Sequence, residues 1–187
     1  MDIECEVCGT LFESVGRRGR TPKYCSSACK QKAYRDRKQS KIPLAMREER
    51  RWVRCDMKKR PVDHEGVPMT WTHPDTWLSY TQVTHSSYGA GAGFVLGKGI
   101  GVIDLDYCIR SDGSLTPLAR KVLEDNPHAW VERSQSRQGL HVWGLLDGDV
   151  HIHESGYEVY AGDAKRFIWV TGDVFRGGSL HPLVLSQ

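Results

Sequence analysis

Four of the six cysteines fall within the first 29 residues, as Cys5-x-x-Cys8 and Cys25-x-x-x-Cys29. A segment this short cannot bury a core, so something other than apolar packing must supply its folding free energy. Two close pairs separated by a loop suit a tetrahedral thiolate site, because each pair sits on one turn and faces the other. Gly9, directly after Cys8, fits the tight knuckle that lets backbone amides approach the sulfurs. Two disulfides are the alternative, and a reducing compartment disfavours them. The expectation is a structural Zn²⁺ on Cys5, Cys8, Cys25 and Cys29, whose binding energy is folding energy. Cys55 and Cys108 have no partner at ligand spacing and read as buried thiols.

From Ser26 onward "SSACKQKAYRDRKQSK" reads as a helix, with Ser26 or Ser27 as N-cap. Lys30, Lys32, Arg35, Arg37 and Lys38 spread around it, and Arg17, Arg18, Arg20 and Lys23 precede it. The net charge of +3 hides this asymmetry: residues 1–60 hold 17 Lys/Arg against 8 Asp/Glu, while residues 61–187 hold 9 against 15. A basic front half is the footprint of a nucleic-acid contact, since released counterions drive binding to phosphates. A solvated basic surface and a protein-docking zinc ribbon remain the alternatives. No apolar run approaches the roughly 20 residues that span a bilayer. "MDIECEVCG" lacks the basic-then-apolar order of a signal peptide, so a cytoplasmic protein is expected.

The expected organisation is a zinc-binding module over 1–38, a linker over 39–50 containing Ser40 and Pro43, and a main domain over 51–187. In the main domain "THPDTWLSYTQV" reads as a helix start, with Thr72 as N-cap and Pro74 in its first turn. Gly93–Leu96 and Gly101–Asp106 read as strands joined at Gly97-Lys98-Gly99 like a hairpin. "SLTPLARKVLED" reads as a helix with Leu115, Leu118, Val122 and Leu123 at apolar spacing. "AWVERS", "GLHVWGLL", "YEVYAG" and "KRFIWVTG" then give four more strands. The pattern is α+β with a largely antiparallel sheet.

The strand "GIGVIDLD" carries two carboxylates in an otherwise apolar run. Residues i and i+2 of a strand share a face, so Asp104 and Asp106 are expected to project together, about 6–7 Å apart, with Ile103 and Leu105 facing the core. Like charges that close on a half-buried sheet call for a cation, and oxygen ligands suit Mg²⁺ or Mn²⁺. A strand end where both acids reach water or pair with Arg is the bland alternative. "ERSQSRQGLHVWG" adds Ser134, Ser136, Gly139 and His141 on a turn entering a strand, and "GYEVY" adds Glu158 between apolar neighbours. Three carboxylates and a histidine at such positions suit phosphoryl chemistry, in which carboxylates hold ions that bring a hydroxyl in line with phosphorus.

The ordered set "GIGVIDLDYC", "SQSRQGLH" and "GYEVY…KRFIWVTG" resembles the archaeo-eukaryotic-type primase superfamily, and within it the primase-polymerase domains of phages and plasmids. The upstream "WTHPDTWLSY" and "GAGFVLGKG" resemble the approach to that family's first motif, so the resemblance covers residues 51–187. It implies an RRM-like antiparallel sheet, and template-directed transfer of nucleotides by two-metal catalysis. Asp104 and Asp106 match the D-x-D metal ligands, and Glu158 matches the third acid. His141 matches the histidine that contacts the incoming nucleotide's phosphates, with Ser134 and Ser136 in the same turn. Arg166 matches a basic residue near the nucleotide. Where the family often has Pro and Gly, this chain has Gln135 and Arg137, and Arg137 is a candidate phosphate contact. The implied partners are a single-stranded DNA template, nucleoside triphosphates and, since no P-loop occurs, a separate replicative helicase. The rivals are a non-catalytic zinc-ribbon nucleic-acid-binding accessory protein and a metal-dependent nuclease. His151-x-His153 reads as a solvated turn, Lys98 as a hairpin tip, and the six Trp as core, with Trp143 flanking the active-site sheet.

Overall fold

The computed structural model describes residues 2–13, 21–39, 41–148, 150–162 and 164–186, with backbone alone over 36–39. Arg17, Arg18, Arg20, Ser40 and the side chains of Arg37 and Lys38 lie outside the described residues. The elements run β1 (Asp2–Glu4), β2 (Leu11–Glu13), α1 (Ser27–Gln39), α2 (Leu44–Glu48), β3 (Trp52–Cys55), α3 (Tyr80–His85), β4 (Gly91–Val95), β5 (Ile100–Leu105), α4 (Pro117–Asp125), β6 (Trp130–Arg133), β7 (Leu140–Leu145), β8 (His151–Glu154), β9 (Tyr157–Tyr160), β10 (Phe167–Val170) and β11 (Val174–Arg176). The chain is mixed α and β, mostly strand, and its sheets are antiparallel.

Strands β1 and β2 form a small hairpin ahead of α1. The rest builds a six-stranded sheet in the order β11-β6-β7-β5-β9-β8 and a three-stranded sheet in the order β10-β4-β3. Ile100, Val102, Trp130, Trp143 and Tyr160 of the larger sheet bury against Trp52, Phe94, Ile168 and Val170 of the smaller one. Phe94 meets Trp143 edge-on, with centroids 6.1 Å apart. The alternate residues Ile103, Leu105, Val131, Val142 and Val159 bury against Ala119, Val122 and Leu123 of α4. The central strand β5 is therefore covered on both faces, which explains its nearly continuous apolar sequence. Among the described residues no helix is long and apolar enough to cross a membrane.

Several local expectations change in the fold. Gly97-Lys98-Gly99 is not a hairpin tip, because β4 and β5 belong to different sheets. It is a corner through which the chain crosses between them. All three of its residues have positive φ, and a Cβ on Gly97 would lie 2.0 Å from the Arg51 guanidinium. That guanidinium donates to the carbonyls of Val95 and Leu96, so it caps the end of β4. The helix expected from Thr72 starts later. Pro74–Thr76 is one 3₁₀ turn, and α3 begins after Ser79, whose hydroxyl and Gln82 form a reciprocal capping box. Helix α4 follows its sequence signals, with Thr116 as N-cap and Pro117 in the first turn, but it buries Ala119 and leaves Leu118 exposed. His151 and His153 lie on the edge strand β8 instead of a turn. Within 39–50, Met46 is fully buried and its carbonyl accepts from Trp52 Nε1, tying α2 to the core.

Candidate active site

Strand register gathers the chemistry-bearing residues into one row. Glu132 on β6 pairs with His141 on β7, His141 with Asp104 on β5, Asp104 with Glu158 on β9, and Glu158 with His153 on β8. All five therefore emerge on the face that looks toward the smaller sheet. The tightest link is buried: His141 Nδ1 lies 3.0 Å from Glu132 Oε1. On the other side of the ring, His141 Nε2 stands 3.7 Å from Asp104 Oδ1. His153 Nδ1 stands 3.7 Å from Glu158 Oε1, and the Tyr160 hydroxyl donates to Glu158 Oε2.

These contacts set the protonation. Burial pushes the Asp104 carboxyl above the usual carboxylate range, and the charges of Asp106 and Glu158 add to that, while His141 and Lys59 oppose it without cancelling it. Asp104 Oδ1 is buried with no hydrogen-bond partner. Burial pulls the His141 pKa down, yet the Glu132 bond and the Asp104 charge outweigh it and the net shift is upward. His141 is thus the protein group that compensates Asp104. Burial, reinforced by the bond to Glu158, pushes the Tyr160 hydroxyl well up, which keeps it a donor.

A cavity of about 390 Å³ opens over this row, lined by Asp104, His141, Lys59, Trp71, Lys165 and Arg166 among others. Arg166 also covers the Tyr160 ring, its guanidinium carbon 4.2 Å from the centroid. A wall of carboxylate and imidazole, a cationic rim and an aromatic side suit a ligand with phosphates and a flat ring.

The structure brings Asp104, His141, Glu158 and Arg166 together but treats other candidates differently. Strand β5 ends at Leu105, so Asp106 sits exposed in the following turn instead of continuing the strand face. Ser134 and Ser136 build the β6–β7 turn. Their hydroxyls lie 3.1 Å apart and accept from the amides of Gly139 and Gln138. Gly139 is required there, since a Cβ would lie 2.6 Å from the Leu105 carbonyl. Ser134 borders a neighbouring cavity of about 310 Å³. Arg137 is held by Asp173, at 3.0 and 2.9 Å, and that pairing lowers the Asp173 pKa. Arg137 lies outside the cavity over Asp104 and, with Ser134 and Asp173, lines the neighbouring one. Lys98 is exposed at its corner.

Lys165, beside the expected Arg166, escaped the sequence reading, and so did two further contributors. Lys59, at φ +61 in the turn after β3, carried no sequence signal. Glu132 did: it is an acid two residues after Trp130 in an apolar strand, the same pattern that singled out Asp104.

The second cluster is the cysteine set. The sulfurs of Cys5, Cys8, Cys25 and Cys29 all lie within 4.8 Å of one another, the one such group of potential metal ligands among the described residues. Cys8 and Cys25 are 3.5 Å apart, and Cys25 and Cys29 are 3.7 Å apart. That is the spacing of thiolates around an ion held at about 2.3 Å. Cys55 and Cys108 are buried elsewhere, and burial pushes their thiols up to about 12 and about 11. No protein-family model matches the chain, and no curated protein matches it in sequence.

Proposed function

We propose that the chain is a primase-polymerase, transferring nucleotides from nucleoside triphosphates to a 3′-hydroxyl on a single-stranded DNA template. One observation carries the reading: Asp104, His141 and Glu158 stand in register on three adjacent strands, and Asp104 and His141 line a cavity rimmed by Lys59, Lys165 and Arg166. In the reaction the 3′-oxygen bonds to the α-phosphorus, the bond to the bridging oxygen breaks, pyrophosphate leaves and the hydroxyl proton passes to solvent. The Lys59, Lys165 and Arg166 cations offset the triphosphate charge. His141 directs Nε2 toward the phosphates, and Trp71 supplies a flat wall for a base. Primases of this superfamily resemble the chain in these motifs, and the RRM-like fold is part of the proposal.

The donor set also fits a divalent cation. The unpartnered Asp104 Oδ1 and the repulsion from Asp106 and Glu158 are what a hard cation removes. Asp104 and Glu158, neighbours on the sheet face, would hold Mg²⁺ or Mn²⁺, and Asp106 would join them from the turn beyond β5; the ion would activate the hydroxyl and neutralise the leaving group. Four thiols at tetrahedral spacing fit Zn²⁺ on Cys5, Cys8, Cys25 and Cys29. With Lys23, Lys30, Lys32 and Arg35 around it, that module would engage the template.

The test is incorporation of labelled nucleoside triphosphates on single-stranded DNA with Mg²⁺ or Mn²⁺, with and without primer, beside an Asp104→Ala/Asp106→Ala control. Product that grows in the wild type and vanishes in the control supports the reading, and growth without primer makes it a primase. Shortened strands would make it a nuclease. Intact, bound strands with no product would leave a zinc-ribbon accessory protein.

A further inference from the structure

Glu132 is a fully buried charged-type side chain, and both of its oxygens are occupied by donors. Oε1 lies 3.0 Å from His141 Nδ1 and 3.3 Å from Trp143 Nε1. Oε2 accepts from the amides of Thr171 at 3.0 Å and Gly172 at 2.8 Å. The Thr171 hydroxyl is also within 3.1 Å of Oε2, but its single proton is shared with the Arg133 carbonyl at 2.7 Å. Indole and amide N–H groups can only donate. The Trp143 indole and the two backbone amides are fixed donors, so both oxygens of Glu132 already act as acceptors before His141 is considered.

This settles the histidine. Facing an acceptor-only carboxylate, the His141 ring keeps its proton on Nδ1. The opposite nitrogen, Nε2, is left pointing at Asp104 and the cavity. The same carboxylate reaches the Thr171-Gly172 segment directly after β10. That strand belongs to the smaller sheet and supplies Phe167, Ile168 and Trp169 to the cavity wall. One buried side chain thus clamps the imidazole from the larger sheet and the wall from the smaller one.

We propose that Glu132 is a positioning residue: it accepts from His141 Nδ1, so that the ring in its neutral form keeps its proton there, and it locks that ring to the strand walling the opposite side of the cavity. The catalytic meaning of this clamp rests on the nucleotidyl-transfer reading, whereas the tautomer does not. Glu132→Gln tests it sharply, because an amide cannot accept at both ends. Its oxygen satisfies the two backbone amides best, which turns its NH₂ toward His141 Nδ1 and drives the ring proton to Nε2.

The experiment is ¹⁵N NMR of the imidazole nitrogens in full-length protein, without divalent metal or nucleotide, at alkaline pH where the ring is neutral. The His141 signal is assigned by its loss in His141→Asn. The expected result is a protonated Nδ1 and bare Nε2 in the wild type, inverted in Glu132→Gln. In the incorporation assay the same variant should lose on the order of 100-fold in kcat, with the nucleotide KM little changed. A wild-type ring protonated on Nε2 would overturn the proposal without any need for the variant to fold. So would a folded variant whose tautomer is unchanged. Inversion of the tautomer in Glu132→Gln, alongside a wild type that incorporates no nucleotide, would uphold the clamp and sink the nucleotidyl-transfer reading instead.

Discussion

The cysteine cluster and the acidic row both gather ligand-type side chains, but they are assembled in opposite ways. The four cysteines come from a 25-residue stretch, and local turns with one hairpin bring them together. Their neighbours are largely exposed, and little apolar packing supports the module. The row from Glu132 to Glu158 draws on four strands of a sheet buried on both faces, and its geometry follows from register over that rigid core. The first cluster, with so little packing of its own, would depend on the proposed ion for structure. The second has its structure independently, and Asp104 is held in it with an unpartnered oxygen.

The contrast can be broken most directly by chelation. Stripping the proposed Zn²⁺ removes roughly 10 kcal/mol of binding energy from the module. Cys5, Cys8, Cys25 and Cys29 should then react with a thiol reagent while buried Cys55 and Cys108 stay protected. All six reacting together would mean that module and main domain fold as one unit. A smaller effect, about 4 kcal/mol, is expected for Trp52→Ala, which empties the core between the sheets. Denaturant unfolding should register that loss while the four module thiols remain protected with metal present, and their simultaneous exposure would erase the distinction.

Subtler is Asp104→Asn in divalent-free, alkaline buffer. Replacing the desolvated carboxylate by a neutral isostere should raise stability by about 1 kcal/mol, seen as a higher Tm, even as incorporation is lost. A lower Tm would show Asp104 to be a structural residue. The smallest effect is a pH dependence. The His141 pKa is raised on folding, so its stabilising contribution is complete below about pH 6.5 and disappears as pH rises through the folded value. The stability gap between wild type and His141→Asn should narrow toward alkaline pH, and a gap that widens would contradict the Glu132–His141–Asp104 arrangement.

Much of this molecule can be read from short stretches of chain. The cysteine pairs, the Thr116-Pro117 start of α4 and most strands depend on residues within a few positions of one another, and local sterics and hydrogen bonding enforce them. The Ser79-x-x-Gln82 capping box was equally local, although Thr72 and Pro74 offered a competing helix start. The alternation that marks Asp104 and Glu158 as one-face acids in apolar strands is also visible in sequence. Which strands become neighbours is not. That Gly97-Lys98-Gly99 crosses between sheets, that Asp106 falls beyond the strand end, and that Arg137 is taken by Asp173 all depend on long-range pairing. Glu132 makes the point most clearly. Its sequence context identifies an acid in a strand, but only the register of β6 on β7 and the arrival of Thr171 from the other sheet surround it with donors. Local chemistry determined the parts, and burial between two sheets decided which of them meet.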